Sequence, residues 1–339
     1  MDKMALLRTE QAFPFVDYMM SAGMPVEKYL EQAGLPLSLV DHSDGVILEK
    51  QLWQLLDIVS EQEDLQDFGL RVGNGIDIEQ LLAGMMPRLM VQPTLLGLIQ
   101  AFCLMVNEES SDAQFWLIPS DNSERHWFCR SGVPGIAVGE RDAELYTLTL
   151  MIKMARLIAG PDWQPDCIRL KTLDNQALHH WGIFQGNEIK LGHDFTAIEV
   201  PSYMVNTQFF GELTNVGITT AQTDNDTPRS LPNDHFPEAL KQVLSLYLND
   251  ENLDLNHAAQ LLGVSARTLQ RQLAKENTSY AQLIDIIRFN SALPLLKDDN
   301  VKLVDIAYDL GYSDPAHFSR AFKRWAGVSP REYRRTLAA

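Results

Sequence analysis

A seven-residue stretch near the C-terminus, AQLLGVS at 259–265, recurs 48 residues later as AYDLGYS at 307–313. Each copy has an apolar segment of helical period, then a glycine, then a second helical segment. We expect the second segments to bury residues four positions apart, Leu269 with Leu273 and Phe318 with Phe322. Two helices joined by a glycine turn form a helix-turn-helix. The repeat therefore predicts an all-α domain with two helix-turn-helix units, at about 256–276 and 303–325.

Local signals support these helices. Gly263 favours a turn with positive φ, and Ser265 is placed to cap the helix that follows. Pro315 suits the first turn of the corresponding helix in the second copy, where we also expect Val304 to face the interior. A connecting helix is predicted at 279–296. Pro294 should kink it or end it early, although a frayed final turn is an equal alternative.

The outer side of each second helix carries polar residues. Arginine and glutamine can make bidentate contacts with base edges in the major groove, whereas the alternative is a merely solvated surface. We expect base contacts, with Arg320 foremost, and phosphate contacts from Lys323 and Arg324. The full set of expected DNA-binding residues is Arg267, Thr268, Gln270, Arg271 and Lys275 in the first unit, and Ala316, His317, Arg320, Lys323 and Arg324 in the second.

Charge is distributed unevenly along the chain, whose formal net charge is −17. Residues 237–339 hold 13 Lys+Arg and 12 Asp+Glu, a net of +1, and residues 1–236 hold the remaining 15 and 33, a net of −18. Phosphate affinity depends on local cations rather than on total charge, because counterions are released only where cations meet the DNA backbone. The acidic total therefore does not exclude DNA binding by the C-terminal segment.

The segment from about 237 to 335 resembles the DNA-binding domain of the AraC/XylS family of bacterial transcription regulators. The resemblance is carried by IAYDLGYSDPAHFSRAFKRWAGVSPREYR at 306–334. It implies two DNA-contacting helix-turn-helix units joined by a rigid helix. It also implies double-stranded promoter DNA and RNA polymerase as partners, and activation of transcription as the outcome. In that family the outer faces of both second helices contact bases, which here correspond to Arg267, Gln270, Arg271, Ala316, His317 and Arg320.

The N-terminal part is predicted to be α+β. Residues 1–212 form an effector-binding or dimerisation domain, 213–236 a polar interdomain linker, and 237–339 the DNA-binding domain. The expected helices lie at 13–32 with a break at 23–25, 49–60, 79–90, 94–106 and 140–158, and the expected strands at 114–118, 125–129, 167–172, 188–191 and 197–200.

Residues 20–210 are similar to the arabinose-binding-like effector domain of one branch of this family, through FGLRV at 68–72 and the segment 81–102. Nothing in the sequence selects a sugar as the effector, which stays unidentified. Met85, Met86, Phe115 and Trp127 could line an apolar effector pocket, or could be plain core residues.

Other classes of function find less support. The sequence has no glycine-rich phosphate loop, nucleophile elbow or HExxH motif, so we expect no enzyme and no cofactor. Cys167, His179, His180 and His193 match no common zinc spacing, so no metal site is assigned. Three widely spaced cysteines, no apolar run long enough for a membrane span and no secretory signal predict a cytoplasmic protein without a membrane partner.

These features together predict a sequence-specific DNA-binding transcription regulator, an activator that is controlled by a small-molecule effector and can form a homodimer. One alternative is an effector-independent regulator whose N-terminal domain only dimerises. An alternative from another class is a metal-binding enzyme or sensor that uses Cys167 and the histidines.

Overall fold

The computed structural model describes residues 4–82, 84–89, 91–92, 94–120, 124–132, 138–173, 178, 181–206, 231, 235–249 and 253–337. These residues fall into two compact units. The N-terminal unit contains Ala5–His42 and the described residues from Glu49 to Leu231. The C-terminal unit contains the described residues from His235 onward, together with Met4 and Ser43–Leu48. Most of the expected linker, at 213–230, lies outside the described residues.

The N-terminal unit begins with helices, as its apolar periodicity predicts. The break at Gly23-Met24-Pro25 separates the first two, and Thr94 caps the seventh by accepting a hydrogen bond from the Gly97 amide at 3.1 Å. The helices are α1 Phe13–Ser21, α2 Val26–Ala33, α3 Glu49–Gln62, α4 Phe68–Gly75, α5 Ile78–Leu81, α6 Met86–Leu89, α7 Leu95–Glu109, α8 Glu140–Ala159 and α9 Ser202–Asn206, with short 3-10 turns at Thr9–Gln11, Leu37–Asp41 and Gly182–Phe184.

A five-stranded sheet follows the first helices. Besides the short strands β1 Leu6–Arg8 and β2 Val46–Leu48, the strands are β3 Gln114–Pro119, β4 Arg125–Ser131, β5 Cys167–Arg169, β6 Glu188–Lys190 and β7 Thr196–Pro201. Their order is β3-β4-β7-β5-β6, with β5 and β6 parallel and the other pairings antiparallel. Phe128, Ile168 and Ile198 project from one face of this sheet into a core shared with α7 and α8. The expected hairpin is therefore present, and it forms one edge of the sheet.

The C-terminal unit is helical over its described part from His235 onward. Its helices are α10 Phe236–Ser245, α11 Leu255–Leu262, α12 Ala266–Lys275, α13 Tyr280–Lys297, α14 Leu303–Asp309, α15 Pro315–Ala326 and α16 Pro330–Leu337. The predicted fold class, an α+β unit followed by an all-α unit with two helix-turn-helix motifs, is confirmed. No helix in the described ranges has the length and hydropathy needed to span a membrane.

Three local expectations need correction. The helix expected at 79–90 is two short helices, α5 and α6, because Leu82, Gly84 and Met85 form turns between them. Helix α13 does not end early at Pro294 but continues to Lys297. Val304 is 46% exposed rather than buried. It lies about 110° around α14 from the centre of the face that Ile306, Ala307 and Leu310 bury.

Candidate nucleic-acid interface

The first helix-turn-helix consists of α11 and α12. The Asp254 carboxylate starts α11 by accepting a hydrogen bond from the His257 amide at 2.8 Å. Gly263 ends it with φ of 69°, the left-handed conformation predicted from the sequence. The Ser265 hydroxyl then accepts a hydrogen bond from the Thr268 amide at 3.2 Å, so the expected cap of α12 is present. Local sequence signals thus fix both ends of the turn.

Helix α12 separates an apolar face from a polar one. Leu269 and Leu273 are buried, as expected from their spacing. Thr268 is half-buried, and its hydroxyl lies 2.9 Å from that of Ser265, so it belongs to the cap of the helix more than to its free surface. The remaining expected contact residues are all exposed: Arg267, Gln270, Arg271 and Lys275.

The second helix-turn-helix consists of α14 and α15 and has a closely packed turn. Gly311 has φ of 72°, and a Cβ atom there would lie 2.2 Å from the Leu248 carbonyl oxygen. A side chain is therefore excluded both by the backbone conformation and by the close approach of another segment. Tyr312 fills the turn, with its ring centroid 5.8 Å from that of Phe318 and 4.5 Å from the Arg288 guanidinium.

Helix α15 begins with a cap and a proline. The Asp314 carboxylate accepts a hydrogen bond from the Ala316 amide at 2.8 Å, and Pro315 occupies the first turn. Phe318 and Phe322 are fully buried. The five residues expected to contact DNA are all exposed: Ala316, His317, Arg320, Lys323 and Arg324.

Two of these residues have partners within the protein. The Arg324 guanidinium donates to the Asp285 carboxylate of α13 at 2.8 Å, and His317 Nε2 lies 3.7 Å from the Asp314 carboxylate. In the described part of the chain, Arg320 and Lys323 form no salt bridge of this kind. Arg320 and Lys323 are therefore freer than Arg324 to meet an external anion, although an exposed ion pair such as Arg324–Asp285 contributes only about 0–1 kcal/mol.

Helix α13 connects the two helix-turn-helix motifs through side-chain contacts that the sequence patterns did not predict. At its start, the Tyr280 hydroxyl donates to the Leu253 carbonyl, just before α11, at 3.0 Å. In its middle, Arg288 Nε donates to the Leu310 carbonyl, at the end of α14, at 3.1 Å. With 18 residues, α13 is about 27 Å long, of the same order as one turn of B-DNA.

The four expected pocket residues do not come together. Phe115 and Phe128 project from the face of the sheet that packs on the helices, whereas Trp127 is on the opposite face with Cys129. Met85 is buried in the helix-side core, and Met86 packs against it. Met85 and Phe115 do border one cavity of ≈120 Å³, which we call the inner cavity. Met85 also borders a larger cleft of ≈670 Å³, the outer cleft.

The structure describes only part of the alternative metal site. Cys167 is buried in β5, on the sheet face that carries Trp127. His179 and His180 lie outside the described residues. Among the residues that are described, no three His, Cys, Asp or Glu side chains are grouped so that they could hold a metal ion.

Comparison with known proteins agrees with this arrangement. The model of a helix-turn-helix domain matches residues 258–336, and the model of the N-terminal arabinose-binding domain of AraC transcription regulators matches residues 23–208, more than half of the chain. The chain belongs to the AraC family of transcription regulators. The resemblance drawn from the sequence is thereby confirmed for both of its parts.

Individual relatives match either a short segment at higher identity or nearly the whole chain at lower identity. The ornithine utilization regulator of Pseudomonas aeruginosa is 41% identical over 81 residues, which are 24% of this chain and 24% of that protein. The regulator VirS of Mycobacterium tuberculosis is 23% identical over 342 residues, covering 97% of this chain and 96% of VirS. The crystal structure of the transcriptional regulator CdpR from P. aeruginosa is 17% identical, covers 96% of this chain and 98% of CdpR, and has a TM-score of 0.43. This chain spans about a quarter of the length of the first curated relatives that it matches.

Proposed function

We propose that this chain is a cytoplasmic regulator that binds promoter DNA sequence-specifically through α12 and α15 and activates transcription with RNA polymerase. The observation that carries the proposal is the shared design of the two helices. Each buries an apolar pair four residues apart and exposes arginines on the opposite side, Arg267 and Arg271 on α12 and Arg320 on α15. Exposed arginines on a second helix suit bidentate contacts with guanine in the major groove.

Regulation by a small molecule forms the second part of this proposal. The N-terminal unit supplies a cavity and a cleft, and a ligand bound there would act on the DNA-binding unit through residues 213–236. Pairing of two copies through residues 1–212 would present two DNA-binding units to one promoter. Both steps are consistent with the effector domain that the family model describes for residues 23–208.

The test is a footprint of the full chain on the DNA upstream of its own gene neighbourhood, followed by fluorescence anisotropy with that site and with a scrambled duplex. Arg271→Ala and Arg320→Ala should each weaken binding to the site by about 1–3 kcal/mol and reduce discrimination against the scrambled duplex. Lys28→Ala, at an exposed cation of the N-terminal unit, is the control and should leave discrimination unchanged. Unaltered discrimination in both arginine variants would show that these helices do not contact bases.

A further inference from the structure

The inner cavity of the N-terminal unit has a wall that is mainly apolar. Phe15, Leu56, Met85, Phe102 and Phe115 supply much of this wall. Polar side chains also reach it, and four of them are buried: Glu49, Ser110, Arg130 and Tyr146. An apolar wall with a few convergent polar groups is the usual composition of a small-molecule site.

Arg130, on β4, is a buried cation with unused hydrogen-bonding capacity. Its side chain is almost fully enclosed, at 4% exposure. Nη1 is buried and has no hydrogen-bond partner among the described residues. Glu49 and Glu144 are near enough to affect its charge, but neither accepts a hydrogen bond from this nitrogen within the described part of the chain. A buried donor without a partner is costly, so this nitrogen is suited to an acceptor from outside the protein.

Tyr146, on α8, is a second residue of the cavity wall with an unused hydrogen-bond donor. It is 8% exposed, and its hydroxyl has no hydrogen-bond partner in the described ranges. The two residues thus come from different elements of the unit, a helix and a strand, and both line the inner cavity. An unpartnered O–H donor and an unpartnered N–H donor on residues that line one apolar space favour a ligand with an anionic acceptor group.

We propose that the inner cavity binds a small aliphatic monocarboxylate, whose carboxylate accepts hydrogen bonds from Arg130 Nη1 and the Tyr146 hydroxyl while its hydrocarbon chain contacts the apolar wall. This inference names the ligand class for the proposed small-molecule control, and it rests on that proposed function only for its effect on DNA binding. A cavity of about 150 Å³ accommodates benzene, so ≈120 Å³ suits an acid of about six heavy atoms, such as butyrate.

Glu49 does not compete strongly with such a ligand. Burial raises the pKa of its carboxyl to about 7, while the Arg130 guanidinium and a hydrogen bond from Ser110 act in the opposite direction. Glu49 Oε2 accepts a hydrogen bond from the Ser110 hydroxyl at 3.1 Å. A carboxyl that is about half protonated at neutral pH and already engaged with Ser110 leaves the Arg130 cation available to an external carboxylate.

The experiment is calorimetric titration of the full chain with butyrate, with its neutral isostere butyramide and with 2-aminobutyrate. We expect butyrate to bind, and butyramide and 2-aminobutyrate to bind at least tenfold more weakly. Tyr146→Phe should weaken butyrate binding about tenfold, because a hydrogen bond to a charged group is lost. Tyr18→Phe, in the wall of the outer cleft, is the matched control and should leave the affinity unchanged. Arg130→Gln should abolish binding.

Tyr146→Phe carries the test even if Arg130→Gln fails to fold, because the tyrosine hydroxyl has no described protein partner to lose. Absence of butyrate binding, equal binding of butyramide, tighter binding of 2-aminobutyrate, or a loss caused by Tyr18→Phe would each overturn the assignment. The anisotropy assay separates this proposal from the proposed function. If butyrate binds but DNA affinity does not change, the ligand site is supported and its regulatory role is overturned. If DNA binds as proposed but butyrate does not, the proposed DNA-binding function is supported and the ligand site is overturned.

Discussion

The two units of this chain place their charged side chains differently. In the described part of the N-terminal unit four such side chains are buried, none more than 4% exposed: Glu49, Arg130, Asp142 and Glu144. In the described part of the C-terminal unit, every Asp, Glu, Lys and Arg is partly or fully exposed. Buried charge is tolerated only where hydrogen bonds or opposite charges compensate for desolvation. A buried charged side chain therefore requires specific partners, either within the protein interior or on a ligand. Exposed charge contributes little to stability and remains available to DNA.

The largest effect expected from this contrast is on stability. Glu144 accepts hydrogen bonds from the Lys171 amide at 2.7 Å, the Thr172 amide at 3.1 Å and the Thr196 hydroxyl. Glu144→Ala leaves these donors without their acceptor and should cost roughly 3–5 kcal/mol. Glu238→Ala, at an exposed carboxylate of α10, should cost less than about 1 kcal/mol. Hydrogen exchange of the strand and α10 amides measures each unit separately; similar losses in both variants would remove the contrast.

The second prediction concerns the interior of the C-terminal unit, where close contacts between backbone segments take the place of buried charged side chains. Gly311→Ala forces a Cβ atom to within 2.2 Å of the Leu248 carbonyl oxygen at a φ of 72°. It should destabilise the C-terminal unit by roughly 3 kcal/mol. Gly327→Ala has a similar φ of 78° but meets no described atom within 4 Å, so only the backbone strain of about 1 kcal/mol is expected. Exchange rates of the α14 and α15 amides distinguish the two, and equal effects would mean that the close approach is unimportant.

The third prediction concerns pH and the N-terminal unit. Burial raises the pKa of Glu49 to about 7 and that of Asp142 to about 6, so the folded state keeps protons that the unfolded chain releases near pH 4. Stability is therefore greatest below the unfolded values and is lost as pH rises from about 4 through the folded values of about 6 to 7, by an amount on the order of 3 kcal/mol for Glu49.

Glu49→Gln should flatten this fall, because an amide releases no proton. Glu61→Gln, at an exposed position on the same helix α3, is the control and should leave the slope as it is. Urea unfolding at pH 5, 6, 7 and 8 gives the profile for each variant. A profile that Glu49→Gln does not change would show that this carboxyl is ionised throughout the range.

The smallest effect is expected at the DNA-binding surface. Lys323→Ala should weaken binding to all sequences alike and reduce the slope of log K against log salt by about 1, as expected for one phosphate contact. Arg324→Ala should change that slope less, because its guanidinium is paired with Asp285. Anisotropy titrations between 50 and 200 mM salt, about the range over which such slopes are usually measured, compare the two. A larger change for Arg324→Ala would mean that the ion pair opens on DNA.

The sequence by itself determined most of the helical architecture. Gly263 and Ser265 were sufficient to place a turn and a cap, and the buried pair Phe318 and Phe322 set the inner face of α15, because these signals act within one or two helical turns. The long match at 306–334 likewise identified the family before any contact was known.

The tertiary structure alone decided which distant residues meet. Arg324 pairs with Asp285 across 39 residues, and the backbone at Leu248 closes against Gly311. Side chains alternate between the two faces of a sheet along each strand, and this places Trp127 and Phe115 on opposite faces. The sequence did not show which of these faces packs on the helices. The environment of Arg130 arises in the same way, since Glu49 and Glu144 approach it from helices α3 and α8. Periodicity shows which side of a helix or strand is apolar, but only packing fixes what that side contacts and which buried donors are left without a partner.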